Sequence, residues 1–298
     1  MLAKYLARGA TRVGGPAGAE VTRSRPARRD LLGLLGLAVL GLFVAIAAFA
    51  DWLPLGDPYK VNAGPRLAKP SADFIAGTDS LGRSQLPRLA RAMQATFLLA
   101  GGAVIATAIL SVALAVVAAY FGSWIGELVI RGADILFAFP ALLLAILIVA
   151  VTGPGKTGAL ISIVLICTPL MMRVVRAAAL SVVNRDFVVA ARVGATRSLR
   201  ILAVHVLPNI AGTAVVQATY ALSVGMLIES GLSFLGLGVQ TPDASLGSLV
   251  QEGAVYLSIA PWLVLIPGVV LALTITSVNL AGDALRDRLD VRATETRR

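Results

Sequence analysis

The sequence predicts an all-α fold in which six helices cross a membrane. Apolar residues make up 57% of its 298 residues and charged residues only 14%, with a mean hydropathy of +0.85, whereas soluble domains are about 45–50% apolar. Backbone groups in lipid must be hydrogen-bonded internally, and the apolar runs are too long for barrel strands, so we expect helices. The runs, each near the ~20 residues that cross the hydrocarbon core, cover residues 31–53, 97–122, 128–152, 157–179, 210–228 and 262–280.

A basic segment precedes the first apolar run. Residues 1–30 carry seven Lys and Arg, a charge pattern shared with transit peptides, but they include Glu20 and lead directly into the run. The run at 31–53 has no small-residue cleavage site after a short apolar stretch, so we expect a retained membrane anchor and not a signal peptide. The segment 1–30 is therefore predicted to be a cytoplasmic tail.

Lys and Arg are distributed unevenly between the connections. Six Arg lie between residues 173 and 200 and five Arg follow residue 285, whereas residues 240–261 contain neither Lys nor Arg. Because cytoplasmic connections carry an excess of basic residues, both termini and the segment 187–209 are predicted to be cytoplasmic. The segment 51–91, with six Lys and Arg against four Asp, fits less well, but long loops follow the rule less strictly. Sidedness and contact with anionic lipid then explain the net charge of +10, and no nucleic-acid partner is expected.

These features divide the chain into predicted parts. They are a cytoplasmic tail at 1–30, a first transmembrane helix at 31–53, an extracytoplasmic segment at 54–96, a core of five transmembrane helices at 97–284, and a cytoplasmic tail at 285–298. Within the core, residues 180–209 are predicted to form a cytoplasmic loop.

The chain lacks a visible constellation of catalytic or metal-binding residues. His205 is the only histidine and Cys167 the only cysteine, which excludes multi-histidine and multi-thiolate metal sites. We interpret Cys167, inside the fourth run, as a buried small apolar residue. The stretch AVTGPGKT at 150–157 ends like a phosphate-binding loop, but Ala150 occupies the first glycine position and the stretch joins two membrane runs. We therefore expect no catalytic, cofactor or metal site, and a transport or assembly role instead of an enzyme.

The segment FVVAARVGATRSLRILAVHVLPN, residues 187–209, separates two apolar runs. Asp186 favours a helix start, Gly194 a break and Pro208 an end before the next run, which together predict two short helices. Helices with an apolar stripe and a basic face are typical of a membrane surface, where they contact anionic lipid.

The same segment resembles the cytoplasmic EAA loop of the permease subunits of binding-protein-dependent ABC importers, whose pattern is E-A-A, three residues, G, nine residues and I-x-L-P. The matching positions are Ala190, Ala191, Leu207 and Pro208. The departures are Val189 for the Glu, Ala195 for the Gly with Gly194 one residue early, and His205 for the Ile.

Further motifs, in order along residues 70–290, resemble the OppC/DppC-type branch of these permeases. They are GTDSLGRS at 77–84, with Ser84 in an Asp position; Arg131, Asp134 and Pro140 in the third run; Glu229 followed by GLSFLGLGVQTPDASLGSL at 231–249; and NLAGDALRDRLD at 279–290. The resemblance implies a multi-pass protein of the bacterial inner membrane that belongs to a peptide importer.

The resemblance also implies a set of partners and contacts. The chain would form half of a pathway for di- or oligopeptides with a second homologous permease, two ATPase subunits or domains that bind ATP and Mg, and an extracytoplasmic binding protein. It would bind no cofactor itself. The ATPase contacts implied by the motif are Val189, Ala190, Ala191, Arg192, Gly194, Ala195, His205, Leu207 and Pro208. Arg192, Arg197 and Arg200 would pair either with ATPase carboxylates or with lipid phosphates.

Charged residues near the span ends are further candidates. Arg131 and Asp134 are expected to pair on one helix face, as a structural pair or gate element. Glu229 is expected either to fix the following loop or to meet a substrate amino group or the binding protein. Asp243 and Glu252, in a stretch without basic residues, are candidate contacts for the binding protein. The competing function is a stand-alone channel or secondary carrier, which predicts an internal repeat that the sequence does not show.

Overall fold

The computed structural model describes residues 26–295, with side chains from 31 to 289 except residue 123. Apart from the start of its first helix, the predicted tail 1–30 lies outside the described residues. Within them the chain is helical and has no β-strand. The helices are α1 (Pro26–Ala48), α2 (Gln85–Tyr120), α3 (Ser123–Phe137), α4 (Ala141–Thr152), α5 (Lys156–Val183), α6 (Asp186–Val193), α7 (Ser198–Ile201), a π-helical segment (Leu202–Val206), α8 (Leu207–Phe234), α9 (Leu246–Ala254) and α10 (Trp262–Glu295).

Five of the described helical segments are long and apolar enough to cross a membrane, or six if the bent pair α3–α4 counts as one span. The predicted span at 128–152 consists of two helices, since α3 and α4 meet at 95°. The cause is Pro140, which has no backbone N–H and disfavours a helical conformation at Phe139. The bent pair therefore ends one helix at Phe137 and begins the next at Ala141.

Helix α2 begins at Gln85, well before the apolar run that starts at residue 97. The apolar run did not predict this extension, because the charged residues Arg88 and Arg91 interrupt it. Arg88 is nevertheless buried, and Pro87 is tolerated in the first turn of a helix. The last part of the segment 54–96 is therefore helical.

The centre of the bundle is formed by α2 and α5, which pack along each other, and by α8, which packs on both. Small side chains let these helices approach closely, among them Ala103 on α2 and Ala159 on α5, which share one core cluster. On α8, a Cβ added to Gly225 would lie 3.1 Å from the Ile163 side chain. Cys167 is buried in the same cluster, which confirms the prediction for this residue.

The two ends of the bundle carry different connections. We call the signature end the one formed by residues 54–84 and 235–261, and the coupling end the one formed by residues 184–206 with the turn between α2 and α3. Helix α2 runs from the first to the second, since it begins at Gln85 beside the signature motif and ends at Tyr120, whose hydroxyl donates a hydrogen bond to Ser198.

Candidate functional site

The first short helix of the coupling end, α6, is fixed by one buried side chain. Asp186 lies in its first turn, where a carboxylate is favourable at the helix N-terminus, as predicted. Val188 is fully buried in a core cluster that includes Val175 and Ala179 of α5. Val189 and Ala190 are exposed on the other side of the helix, and Ala191 is half-buried. Helix α6 thus packs on α5 with one face and leaves the motif positions accessible.

The turn after α6 explains the displaced glycine of the motif. Gly194 ends the helix with φ −72°, whereas Ala195 has φ +53°. The Ala195 N–H bonds to the Arg192 carbonyl and the Thr196 N–H to the Ala191 carbonyl, both at 3.1 Å. This is a Schellman motif, whose left-handed residue is usually glycine. The family pattern places its glycine at this left-handed position, which Ala195 occupies here.

The sequence predicts that the second short helix ends at Pro208, but in the structure it does not. Helix α7 passes through the π-helical segment directly into α8, with Pro208 in the first turn of α8. A proline ring clashes with the carbonyl four residues earlier in a regular α-helix, and the wider π turn avoids this clash. The Asn209 side-chain amide donates to the His205 carbonyl at 2.7 Å. The coupling end is therefore joined to α8 without a flexible linker.

Several contacts hold the two halves of the segment 187–209 to each other and to the rest of the bundle. Ile201 and Val206 are fully buried in the same cluster as α5 residues. The Tyr120 ring lies 4.7 Å below the Arg192 guanidinium, and the rings of Phe187 and His205 lie 5.9 Å apart. The tilted Phe187–His205 contact joins the start of the segment to its end.

The outward face of the coupling end is exposed and partly apolar. Val193 is 83% exposed and Leu199 80% exposed, and Arg192, Arg197 and Arg200 are also exposed. An exposed apolar patch with basic residues around it is characteristic of an interaction surface.

At the signature end, the motif GTDSLGR folds as a tight loop. Gly77 has φ +75°, and a Cβ there would lie 2.6 Å from the Ala68 carbonyl oxygen. The fully buried Thr78 hydroxyl donates to the Pro65 carbonyl and accepts from the Ala68 N–H at 2.9 Å. The motif therefore fixes the segment that precedes α2. Ser84, in the Asp position of the family pattern, is the N-cap residue of α2 but makes no side-chain cap bond.

Asp79 of this motif organises a four-residue ion-pair network. Its carboxylate accepts from the Arg83 Nε at 2.6 Å and from the Arg88 Nη1 at 2.8 Å. Arg88 Nη2 in turn lies 2.8 Å from the Glu252 carboxylate on α9. The sequence analysis did not single out Arg88. Its position shortly after the GTDSLGR motif is the signal that could have indicated it. The network links α2 to α9.

Asp243 is also paired within the chain. It accepts from the Lys156 ammonium at 2.6 Å and from the Tyr59 hydroxyl at 3.0 Å. The hydrogen bond from Lys156, followed by that from Tyr59, lowers the pKa of Asp243. Burial, followed by the hydrogen bond to Asp243, raises the pKa of Tyr59. The stretch 240–261 has no basic residue of its own, but bases from elsewhere in the chain balance both of its predicted docking carboxylates.

Glu229 lies fully buried among hydroxyl groups near the end of α8. It accepts from Ser233 at 2.7 Å, from Thr96 of α2 at 3.2 Å and from Ser230 at 3.3 Å. The Ser233 oxygen also accepts from the Val239 N–H, and the Thr96 oxygen accepts from the Leu246 N–H at the start of α9. The arrangement connects α8, α2 and α9 through one side chain.

The predicted pair between Arg131 and Asp134 does not form. Arg131 pairs with Glu127, four residues earlier on α3, at 2.5 Å. Asp134 pairs instead with Arg173 of α5 at 2.5 Å, and the Arg173 guanidinium lies 4.1 Å from the Phe137 ring centre. A Glu four residues before a basic residue is a favourable helical pair, and the packing of α5 against α3 brings the second arginine.

The described helices thus form a multi-pass α-helical membrane bundle in which a surface segment connects α5 to α8. Residues 108–294 match the family of binding-protein-dependent transport system inner membrane components, and the chain belongs to this family. It is therefore a multi-pass inner-membrane permease subunit of an ABC importer, a class that works with an ATPase and other components.

The chain is similar to several curated permeases. It is 36% identical to the dipeptide transport system permease protein DppC of Alkalihalophilus pseudofirmus, over 88% of this chain and 86% of the relative. It is 38% identical to the di/tripeptide transport system permease protein DppC of Pseudomonas aeruginosa, over 86% of each. It is 33% identical to the oligopeptide transport system permease protein OppC of Mycobacterium bovis, over 88% of this chain and 90% of the relative.

A solved structure has the same fold over much of the chain. The MetNI methionine ABC transporter, in an inward-facing conformation, aligns with a TM-score of 0.57 over 68% of this chain and 97% of the matched chain. The identity is 16%, so this likeness concerns the fold alone.

Proposed function

We propose that this chain forms half of the pathway of a di- or oligopeptide importer. A second homologous permease forms the other half, ATP and Mg bind to two ATPase subunits or domains, and an extracytoplasmic protein delivers the peptide. The names of the curated relatives support the substrate class, because they are di-, tri- and oligopeptide permeases.

The observation that carries the proposal is the construction of the segment 187–209. Its inner face is buried against the bundle and its outer face exposes apolar and basic side chains. Its first helix, α6, follows α5 after only Asn184 and Arg185, and its second half continues into α8 without interruption. A partner that displaces the segment therefore displaces both helices, which is the mechanical requirement for coupling ATP binding to a change between two pathway conformations.

The chemistry of the outer face indicates how an ATPase would bind. Val189 stands where the family pattern has a glutamate, and it is exposed. We infer that docking here relies on apolar contact by Val189 and Val193 together with the arginines of the segment. Arg192, Arg197 and Arg200 then meet carboxylates of the ATPase.

The signature end is the proposed contact for the binding protein. The side chains of Asp243 and Glu252 are 42% and 30% exposed, even though each is paired within the chain. Their exposed oxygens remain accessible to donors on a docked protein. The internal pairs orient these carboxylates before docking.

The substitution Ala190→Trp tests the coupling assignment. Ala190 is exposed on α6 and its small side chain permits close approach, so we expect a tryptophan there to abolish peptide uptake into proteoliposomes while basal ATP hydrolysis remains. The matched control is Ala272→Trp, at an exposed alanine of α10, which should transport normally. Normal uptake by Ala190→Trp would disprove the docking assignment. The proposal as a whole fails if the unmodified chain purifies without an ATPase and transports without ATP.

A further inference from the structure

A charged cavity of about 450 Å³ lies at the coupling end, apart from the segment 187–209. It opens between the end of α2, the face of α3 and one side chain of α5. Its walls are formed by Ala118, Gly122, Gly126, Glu127, Ile130, Arg131, Asp134 and Arg176.

Counted together with the neighbouring Arg173, the charged side chains at this cavity are three arginines and two carboxylates. Glu127 is paired with Arg131, and Asp134 is paired with Arg173. Arg176 is the remaining arginine of the wall, and its Nε is buried without a hydrogen-bond partner among the described residues. A buried donor without an acceptor is unfavourable by a large part of its desolvation penalty, so the Arg176 Nε–H favours an acceptor that enters the cavity.

Aromatic side chains near the cavity indicate its depth in the membrane, and this depth indicates which anions reach it. Aromatic residues surround the α2–α3 turn, and Trp124 is 70% and Phe121 48% exposed. Exposed Trp and other aromatic side chains mark the level of the lipid headgroups. Arg176 lies seven residues before the end of α5 at Val183, about 10 Å along the helix axis. At that depth a long basic side chain reaches the headgroup layer.

Apolar surface adjoins the cavity where lipid chains would lie. Leu128 and Ile135, three residues before and four residues after Arg131, are 63% and 65% exposed. Residues at these spacings share one side of a helix. A ligand with a phosphate at Arg176 and hydrocarbon along α3 satisfies both surfaces.

We propose that this cavity is a binding site for the phosphate headgroup of an anionic phospholipid, with Arg176 as its ligand. The walls of the site contain no residue of the segment 187–209. A phosphodiester oxygen accepts the Arg176 Nε–H, while Arg131 and Arg173 remain paired with Glu127 and Asp134. The occupied site holds α3 against α2 and α5.

The test uses the full-length chain purified with the subunits that accompany it, delipidated in detergent and then exposed to phosphatidylglycerol or phosphatidylcholine. Native mass spectrometry measures the lipid retained. We expect a preference of about fivefold for phosphatidylglycerol, the effect of one basic residue near a membrane surface. Arg176→Gln should abolish this preference, whereas Arg185→Gln, at an exposed arginine outside the cavity, should preserve it. An unchanged preference in Arg176→Gln would overturn the proposal.

A second pair of measurements covers the case in which Arg176→Gln does not fold. Ile130→Trp fills the cavity without removing a charge and should also reduce phosphatidylglycerol retention. On the unmodified chain, a photoactivatable phosphatidylglycerol should label peptides from α3 or from the second half of α5. Labelling confined to other helices refutes the site.

Two further arms distinguish the source of the anion. Inorganic phosphate should not displace the lipid; if phosphate alone binds as tightly, the cavity is a site for free phosphate and the lipid assignment is wrong. A cysteine introduced by Arg176→Cys should not crosslink to the second permease. Efficient crosslinking there would mean that a protein carboxylate fills the site, and this too would overturn the proposal. None of these readouts depends on peptide uptake, so failure of the lipid site and failure of the transport function are distinguishable.

Discussion

The two ends of the bundle treat their charges in opposite ways. At the signature end, Asp79, Arg88 and Glu252 satisfy one another within the chain, and Glu229 is surrounded by hydroxyl donors. At the coupling end, the arginines of the segment 187–209 are exposed, and Arg197 and Arg200 have no carboxylate partner among the side chains described between residues 31 and 289. Both ends carry family motifs, so the presence of a motif does not explain this difference. The difference follows the location of the residues in the fold.

The comparison shows two uses of a motif. Residues of the GTDSLGR motif are required by the fold of the chain itself, since they form turns and buried ion pairs. Residues of the coupling segment are held in place by a few buried anchors, such as Val188 and Ile201, while Val189 and Val193 remain exposed. The first kind of motif predicts loss of stability on mutation, and the second kind predicts loss of function alone.

The largest expected effect is on stability at the signature end. Arg88→Ala removes a 3% exposed guanidinium that pairs with both Asp79 and Glu252, and leaves Arg83 as the remaining partner of the two carboxylates. Breaking a buried pair by removing one partner costs about 3–5 kcal/mol, so little folded protein should survive gel filtration in detergent. The control is Arg91→Ala, one turn along α2, whose pair with Asp51 is partly exposed, at 38% and 44% of the two side chains; its cost should be about 0–1 kcal/mol. Equal stability of the two variants would contradict the network's role.

The next effect is on function and leaves stability unchanged. Leu199→Ser changes an exposed residue of the coupling segment, so its free energy of unfolding should match that of the parent to within about 0.5 kcal/mol. Peptide uptake should fall about tenfold, since a central apolar contact of an interface contributes more than about 1 kcal/mol. Val151→Ser, at an 83% exposed position of α4, serves as the control and should transport normally. A stability loss in Leu199→Ser that equals its loss of uptake would remove the distinction between the two ends.

Composition and motif spacing were enough to predict the membrane fold, because apolar length and internal backbone bonding leave helices as the only arrangement. They were not enough to predict the start of α2, because Arg88 interrupts the apolar run and its partner Glu252 is distant in sequence. The pairing of Asp134 with Arg173 was missed for the same reason, since only the packing of α5 on α3 brings them together.

Local signals at the coupling end were read correctly only where the local backbone decides the outcome. Asp186 and Gly194 do mark the start and end of α6. Pro208 was misjudged, because a π turn preceding a proline is not visible in the residue pattern. The displaced glycine was visible as a departure, but its conformational meaning required the backbone angle of Ala195.

A smaller effect is expected at that turn. Ala195 has φ +53°, a conformation that costs an L-residue roughly 1–2 kcal/mol relative to glycine. Ala195→Gly should therefore raise the stability of the purified chain by about 0.5–1 kcal/mol after the added freedom of the unfolded chain is counted. Gly194→Ala is the matched variant: its Cβ would lie 3.4 Å from the Ala190 carbonyl oxygen, an ordinary contact, so no loss is expected. The two changes together place the glycine where the family has it, and a fall in the thermal midpoint would show that the turn is held differently.

The smallest effect concerns the exposed pair at the signature end, measured against pH. The hydrogen bond from Lys156 lowers the pKa of Asp243, so the folded state favours the ionised carboxylate. The stabilisation is present above the pKa of Asp in an unfolded chain, about 3.9, and is lost as the pH falls through the lower folded value. The pair is partly exposed, so its contribution is about 0–1 kcal/mol. Thermal midpoints of the parent and of Asp243→Asn should therefore differ slightly at neutral pH and converge in acid. At neutral pH, the difference in thermal midpoint between Arg88→Ala and the parent should be several times as large. A difference between Asp243→Asn and the parent that grows as the pH falls would mean that Asp243 is not the stabilised carboxylate, and would leave the signature end with the Asp79 network as its source of electrostatic stability.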